Sequence, residues 1–424
     1  MRPLRVAVVA RAVMPLHGLG GLERHVRDLV VHLAARGVAV TLITPPPRSA
    51  QRAADAPWAA SPLVTVRHVP YVTFPLAGRR GTTVIDRSTA YPVFGYRAGR
   101  LALSLVRAGE IDLVHGLGAS ALGYALARRD PSRSGASAPL VFNPQGLEEF
   151  GASGPAQAPL KRIGYAPLRA AVRACASVAD RIIATDRALE PVVIRHLHPR
   201  PGQLCTIPNA IDLEELDAWA RADAGAGMRA RHGIAPDELL ILSVGRIETN
   251  KAFEQLADAL AVAARDGHAL ARRGWRWALV GAGPNRRAVE RAVARHALGA
   301  HVVLAGRVGD ADLHAWYAAA SFFAHPTRYE GSSIVTLEAM AHRKAVVATR
   351  AGGLPDKVTP GVNGWLVPPD DVEALARAIE DAASDGRRLV AMGTESRIIV
   401  ERDFAWSTIV DRQLAVYEEL FERR

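Results

Sequence analysis

The sequence predicts an α/β protein of two doubly wound domains, each a parallel sheet with helices on both faces. Three observations predict this. Short β-branched runs alternate with amphipathic helical stretches along the chain, a pattern that implies parallel strands joined by helical crossovers. The pattern breaks once, over residues 207–238, where Pro, Gly and Asp punctuate the segment, and then restarts. At 424 residues the chain is long enough for two cores, at roughly 100–200 residues per domain.

In the first domain, residues 1–208, the predicted strands are Val6–Ala10, Val38–Thr44, Val64–Val69, Asp112–His115, Leu140–Asn143, Ile182–Thr185 and Cys205–Pro208. Between the first two, Leu22, Val26, Leu29, Val30 and Leu33 make one apolar helical stripe over Leu22–Arg36. In the second, residues 209–403, they are Leu239–Val244, Trp277–Val280, His301–Leu304, Phe322–Ala324 and Ala345–Thr349. Residues 404–424 end the chain with a predicted helix, Ile409, Val410, Leu414, Tyr417 and Leu420 lying along one face. Sheets of this kind bind ligands outside the carboxyl ends of their strands, so the strand-to-helix loops are where site residues belong.

Composition narrows the class. A 49% hydrophobic share with 22% charged residues is globular. Cys175 and Cys205 lack ligand neighbours at metal-site spacing and suit core positions in a reducing compartment. The opening MRPLRVAVVAR is a first strand, its apolar core being too short for a signal peptide. No apolar run approaches the roughly 18 residues of a membrane helix, so a cytoplasmic protein is expected. The net charge of +11 is uneven: the first 205 residues hold 26 Lys+Arg against 12 Asp+Glu, the rest 27 against 30. This basic half suits a peripheral seat on an anionic membrane surface or a phosphate-bearing or lipid-linked acceptor. Nucleic acid is not expected, because the basic residues are scattered and not interleaved with aromatics.

Five loops carry candidate chemistry. In FFAHPTRYEGSSIVTLEAMAH, residues 322–342, an apolar strand runs into a polar loop and then a helix opening after Ser332 and Ser333. The first-turn amides of that helix, around Ser333, Ile334 and Val335, point at the loop and suit an anion. Glu330 and Glu338 flank them as acceptors for sugar hydroxyls. In SVGRIETNKA, Arg246 and Lys251 bracket a strand-to-helix loop where a guanidinium and an ammonium can share a diphosphate. The chain has four lysines against 49 arginines, so a lysine at this place stands out. Gly18, Gly20 and Gly21 open the first helix and permit close backbone approach to a phosphate. His115 ends a strand, where it can bond a hydroxyl or take an acceptor proton, and Asn143-Pro144-Gln145-Gly146 with Glu148 and Glu149 would border an acceptor site.

Other motifs weigh less. Gly281-Ala282-Gly283 begins a dinucleotide fingerprint but has Arg286 at the third glycine, which speaks against hydride transfer. Asp310-Ala311-Asp312 has the form of a metal-binding pair and is read as the first turn of a helix, so no metal or cofactor is expected. His342-Arg343-Lys344 is read as a solvated helix end.

Together, EGSSIVTLEAMA, AVVATRAGGLPD, GVNGWLVPPDD, the G-R-x-x-x-x-K loop and GG-x-E-R-H-V resemble the retaining GT-B glycosyltransferases of family 4, over nearly the whole chain. The resemblance implies two Rossmann-like domains facing across a cleft, with the terminal helix crossing back to the first. It implies sugar transfer from a nucleotide-diphosphate sugar to an acceptor hydroxyl, as in glycan, glycolipid or cell-envelope polysaccharide synthesis. Glu330 would hold donor-sugar hydroxyls and Glu338 the ribose; Arg246 and Lys251 would stabilise the departing diphosphate. Gly20, Gly21 and the Ser333–Val335 amides would line its path. The chain departs from the pattern at Ala252 and Arg343, where glycine is usual, at Ala345, where proline is usual, at Asp356, where glutamate is usual, and at Leu117, where many members have a second histidine. A nucleotide-sugar epimerase and a non-catalytic nucleotide-sugar-binding protein remain as alternatives on the same fold.

Overall fold

The computed structural model describes residues 3–18, 20–73, 83–151, 163–219 and 223–422; Leu19 of the glycine turn lies outside them. Two all-parallel sheets form. The first contains β1 (Arg5–Val9), β2 (Ala39–Thr44), β3 (Val64–His68), β4 (Leu113–Leu117), β5 (Leu140–Asn143), β6 (Arg181–Ala184) and β7 (Leu204–Thr206), in the order β3-β2-β1-β4-β5-β6-β7. The second contains β8 (Leu239–Val244), β9 (Trp275–Val280), β10 (Val302–Gly306), β11 (Phe322–His325), β12 (Ala345–Thr349) and β13 (Gly364–Val367), in the order β10-β9-β8-β11-β12-β13.

Every predicted strand is present, with ends shifted by a residue or two. The unpredicted one, β13, has four residues, a half-buried Trp365-Leu366 centre and glycine at its start, too short for a period-2 signal. Residues 207–238 are less irregular than their punctuation implies. Helices Leu213–Trp219 and Ala224–Arg231 form there and deliver Leu216 and Met228 to the second core.

Strand periodicity explains the layering. In β8, Leu239 and Ile241 pack with the helices Phe253–Ala263 and Val372–Ser384 on one face. Leu240 and Leu242 pack with Asp310–Ala319 and Ile334–Ala341 on the other. The one polar side chain of that strand, Ser243, donates to the Ala324 carbonyl (2.8 Å) and accepts from Trp277 Nε1 (3.2 Å).

Contacts divide the chain into Met1–Pro208 with Ile409–Arg424, and Asn209–Thr408. The terminal helix, Trp406–Glu422, therefore returns to the first unit, burying Ile409, Val410, Tyr417 and Leu420. Its Glu419 pairs with Arg181 (2.5 Å) and its Asp411 with Arg36. Two Rossmann-like units and a returning helix make the GT-B fold.

Candidate active site

Each sheet reverses its strand order once, between β1 and β4 in the first unit and between β8 and β11 in the second. Loops leaving adjacent strands at such a reversal diverge and open a crevice.

In the second unit the β8 and β11 loops are stitched together. Arg328 N and Thr327 Oγ1 both donate to the Asn250 carbonyl (2.7 and 2.8 Å). The Arg328 guanidinium reaches the Thr249 carbonyl (2.6 Å), Glu254 (2.9 Å) and Asp370 (2.6 Å). This brings Lys251 Nζ onto Glu330 Oε2, both side chains 13% exposed. His325 Nε2 meets the same oxygen at 2.6 Å, and Oε1 has no bond among the described residues. Burial alone would raise the Glu330 carboxyl, but the Lys251 ammonium and the His325 imidazole outweigh it and hold it at about 2. Burial lowers His325 despite Glu330, which leaves a neutral imidazole donating through Nε2. Gly352 closes the loop after β12 over this cluster. Its φ is +50°, and a Cβ there would land on the Glu330 carbonyl oxygen.

The other expected donor-side groups are placed as follows. Arg246 shares the β8 loop but is 75% exposed and paired with Glu248 (2.9 Å), outside the Lys251–Glu330 pair. Ser333 precedes the helix Ile334–Ala341 and accepts from Thr336 Oγ1 (2.9 Å); no side chain caps the opening amides. Glu338, 4% exposed, accepts from Tyr317 OH at 2.9 Å. Sequence reasoning missed His325 and Lys357. His325 sits at a strand end, the same signal that singled out His115. Lys357 is 1% exposed, its Nζ near Ser332 Oγ (3.2 Å), the Gly353 carbonyl (3.3 Å) and the Phe404 ring (5.5 Å).

Two departures from the family pattern gain a physical meaning. Ala252 (φ +52°) and Arg343 (φ +57°) both hold left-handed backbone, the conformation that favours the glycine usual there. The reading of His342-Arg343-Lys344 as a solvated helix end needs correction for Lys344. Its Nζ caps another helix, donating to the carbonyls of Ala318 (3.1 Å) and Ala320 (2.7 Å), and burial pushes it down to about 8. Asp310 and Asp312 lie in the first turn of Asp310–Ala319, and Asp312 pairs with Arg231 (2.8 Å). Among the described residues no group of three His, Cys, Asp or Glu could hold a metal ion.

In the first unit the loops after β1, β4 and β5 enclose a cavity of about 230 Å³. Leu22, Tyr91, Leu117, Leu147, Leu168 and Val172 give it an apolar lining, and Arg11, Arg87, Gln145, Glu148 and Glu149 are its charged and amide side chains. Gly20 and Gly21 open the helix Gly21–Ala35 beside it. A Cβ on Gly18 or Gly20 would come within 3.0 or 2.6 Å of the Glu23 carboxylate, which lies over that turn.

His115 is not at this cavity. It is 1% exposed, its Nδ1 lies 2.6 Å from Tyr417 OH, and burial followed by the charge of His25 lowers it to about 3. The structure places this imidazole against the terminal helix, with its Nε2 buried and without a hydrogen-bond partner among the described residues. Leu117, two residues on, lines the cavity instead.

A family model described as Glycosyltransferase Family 4 matches residues 19–215, and one described as Glycosyl transferases group 1 matches residues 238–385. The chain belongs to the family 4, group 1 glycosyltransferases. This glycosyltransferase is 29% identical to the D-inositol 3-phosphate glycosyltransferase of Streptomyces avermitilis, over 98% of this chain and 88% of that one. It is 34% identical to a GDP-mannose-dependent α-(1-6)-phosphatidylinositol monomannoside mannosyltransferase of Mycolicibacterium smegmatis, over 44% of this chain and 49% of that one. Among solved structures, the sucrose-phosphate synthase of Thermosynechococcus elongatus superposes with a TM-score of 0.74 at 24% identity, covering 99% of this chain and 100% of that one. The Anabaena protein HepE, solved in complex with UDP and glucose, gives 0.70 at 20%, covering 98% and 100%. No helix among the described residues is long and apolar enough to cross a membrane.

Proposed function

We propose that this glycosyltransferase moves a sugar from a nucleotide-diphosphate donor to an acceptor hydroxyl with retention at the anomeric carbon and without a metal ion. The observation that carries the reading is the cluster of Lys251, Glu330 and His325 at the reversal of the second sheet, beside a helix whose opening amides no side chain caps. When the glycosidic bond to diphosphate breaks, negative charge grows on the departing oxygen. A half-buried ammonium and preorganised amides stabilise that charge without reorganising, and this is the main catalytic term. Arg246 joins from its exposed position by leaving Glu248. Glu330 keeps one oxygen for a donor-sugar hydroxyl, since Lys251 and His325 both bond the other. Glu338 takes a ribose hydroxyl in exchange for, or beside, Tyr317.

The names of the relatives support an acceptor built on a cyclitol or sugar ring, lipid-linked in one case. The basic first half supports an anionic membrane face as its setting.

The test is a thermal-shift panel of nucleotide-diphosphate sugars with and without EDTA. At about 100 times its dissociation constant a true donor adds ~2.7 kcal/mol. Glu338→Ala should weaken donor binding, by roughly tenfold or more for one lost hydrogen bond to a charged group. Unchanged donor affinity in that variant, or a shift that requires metal, overturns the reading.

A further inference from the structure

Lys357 has no part in the reading above, and its burial makes it conspicuous. It is one of four lysines in the chain and is 1% exposed, where a lysine is seldom found unless its nitrogen is engaged. Its main chain is held from both sides. Lys357 N donates to the Leu354 carbonyl (3.0 Å), and the Lys357 carbonyl accepts from Asn363 Nδ2 (3.0 Å), whose own Oδ1 accepts from Thr359 N (2.7 Å). A backbone fixed in this way aims the side chain in one direction. Nζ ends between two loops, donating to the Gly353 carbonyl (3.3 Å) in the loop after β12 and to Ser332 Oγ (3.2 Å) in the loop after β11, with the Phe404 ring 5.5 Å away.

What Ser332 leads into gives that bond its meaning. The loop after β11 is anchored at its start, where Arg328 N and Thr327 Oγ1 reach the Asn250 carbonyl, and in its middle, where Lys251 bonds Glu330 and Gly352 lies against the Glu330 carbonyl. Over residues 331–333, the bond from Lys357 is the one hydrogen bond to another loop among the described residues. Ser333 then precedes the helix Ile334–Ala341, whose opening amides no side chain caps. Amides stabilise a growing negative charge best when their direction is set beforehand, and a misplacement of about 1 Å caused by a distant change can cost about a hundredfold in rate. At 1% exposure Nζ is out of a ligand's reach, so whatever Lys357 does to a ligand it does through the loops it joins.

We infer that Lys357 is a positioning residue for the donor, locking residues 331–333 to the loop after β12 and thereby fixing where the amides of Ser333, Ile334 and Val335 point. The inference rests on the transferase reading above, in which those amides face the diphosphate. It adds a residue that governs the diphosphate end of the donor without touching it.

Calorimetric titration of the full chain with UDP, GDP, uridine and guanosine tests it, in the wild type, Lys357→Met, Ser332→Ala and the double variant. Lys357→Met keeps the stem and its packing and removes the donating nitrogen. It should weaken binding of the diphosphate that the wild type prefers by roughly tenfold, for one lost hydrogen bond, and leave the nucleoside of the same base unchanged. Ser332→Ala should do the same, and the double variant should lose no more than either single one, since both remove one bond. A general loosening of the fold would instead weaken nucleoside and diphosphate alike, and that result overturns the assignment. So do losses that add in the double variant. If Lys357→Met does not fold, Ser332→Ala decides by the same comparison. A wild type that binds neither diphosphate overturns the transferase reading and this inference together; a wild type that binds one, with its affinity unchanged in the variants, overturns this inference alone.

Discussion

The two strand-order reversals of this molecule are built alike and furnished differently. At the second, the buried carboxylate Glu330 is met by Lys251 and His325, and the loops that carry them are tied by Arg328 and Asn250. At the first, the buried carboxylate Glu149 has no side-chain hydrogen-bond partner among the described residues, only a backbone amide, and the loop that carries it is held left-handed at Gln145 and Leu147. The same residue type, shielded from solvent in both places, is driven down to about 2 in one and up to about 7 in the other. Partners decide the direction: an ammonium and an imidazole on one oxygen outweigh the burial of Glu330, and burial meets weaker opposition at Glu149.

Breaking the assembled side should have the largest effect. Lys251→Ala strands Glu330 as a buried charge beside a neutral imidazole, and removing one partner of such a pair costs about 3–5 kcal/mol. Chemical denaturation should show that loss, and transfer activity should fall with it. The pH dependence follows. The depressed Glu330 contributes stability that is complete above its ordinary range near 4.5 and is lost as pH falls toward 2. In the variant Glu330 is less depressed, so that acid-side loss should shrink or vanish; a denaturation profile superimposable on wild type would mean the pair is ornamental.

The unfurnished side should respond with the opposite sign. Glu149 has a raised folded-state pKa, so its contribution is complete below about 4.5 and is lost as pH rises through about 7. Glu149→Gln keeps the shape and removes the titration, so it should stabilise the protein by about 1–3 kcal/mol at pH 8 and leave it unchanged near pH 4. A variant that melts lower at pH 8 would show that the carboxylate is satisfied in solution and that the contrast between the two reversals is false.

Much of this was legible in the sequence for identifiable reasons. Strands such as Leu239–Val244 announce themselves because both faces are buried and the run is uninterrupted apolar. Lys251 and Glu330 stand out by position, each just past a strand, although nothing in their spacing of 79 residues says that they touch. That contact is made by the sheet order, which places β11 next to β8 across more than 70 residues of chain, and pairing order leaves no local trace. His325 ends its strand and carries the same signal as His115, and nothing local says that it meets Glu330 while His115 is bonded to Tyr417 from the far end of the chain. Burial of Glu149 is equally nonlocal, since Leu168 and Val172 come from a later helix.

Backbone strain gives the smallest and sharpest comparison. Gln145 in the first unit and Arg343 in the second are both non-glycine residues held left-handed, at φ +62° and +57°. Replacing either with glycine relieves roughly 1–2 kcal/mol of steric cost against about 0.5–1 kcal/mol of added unfolded-state freedom, for a net gain of about 0.5–1 kcal/mol. Ala252→Gly should gain less, because relief at φ +52° is offset by loss of a fully buried methyl, worth about 0.8 kcal/mol. Arg343 is exposed at a helix end, so Arg343→Gly should raise the melting temperature. Gln145→Gly should raise it by a similar amount. A variant that melts no higher than wild type would place the strain at that residue with ordinary loop geometry.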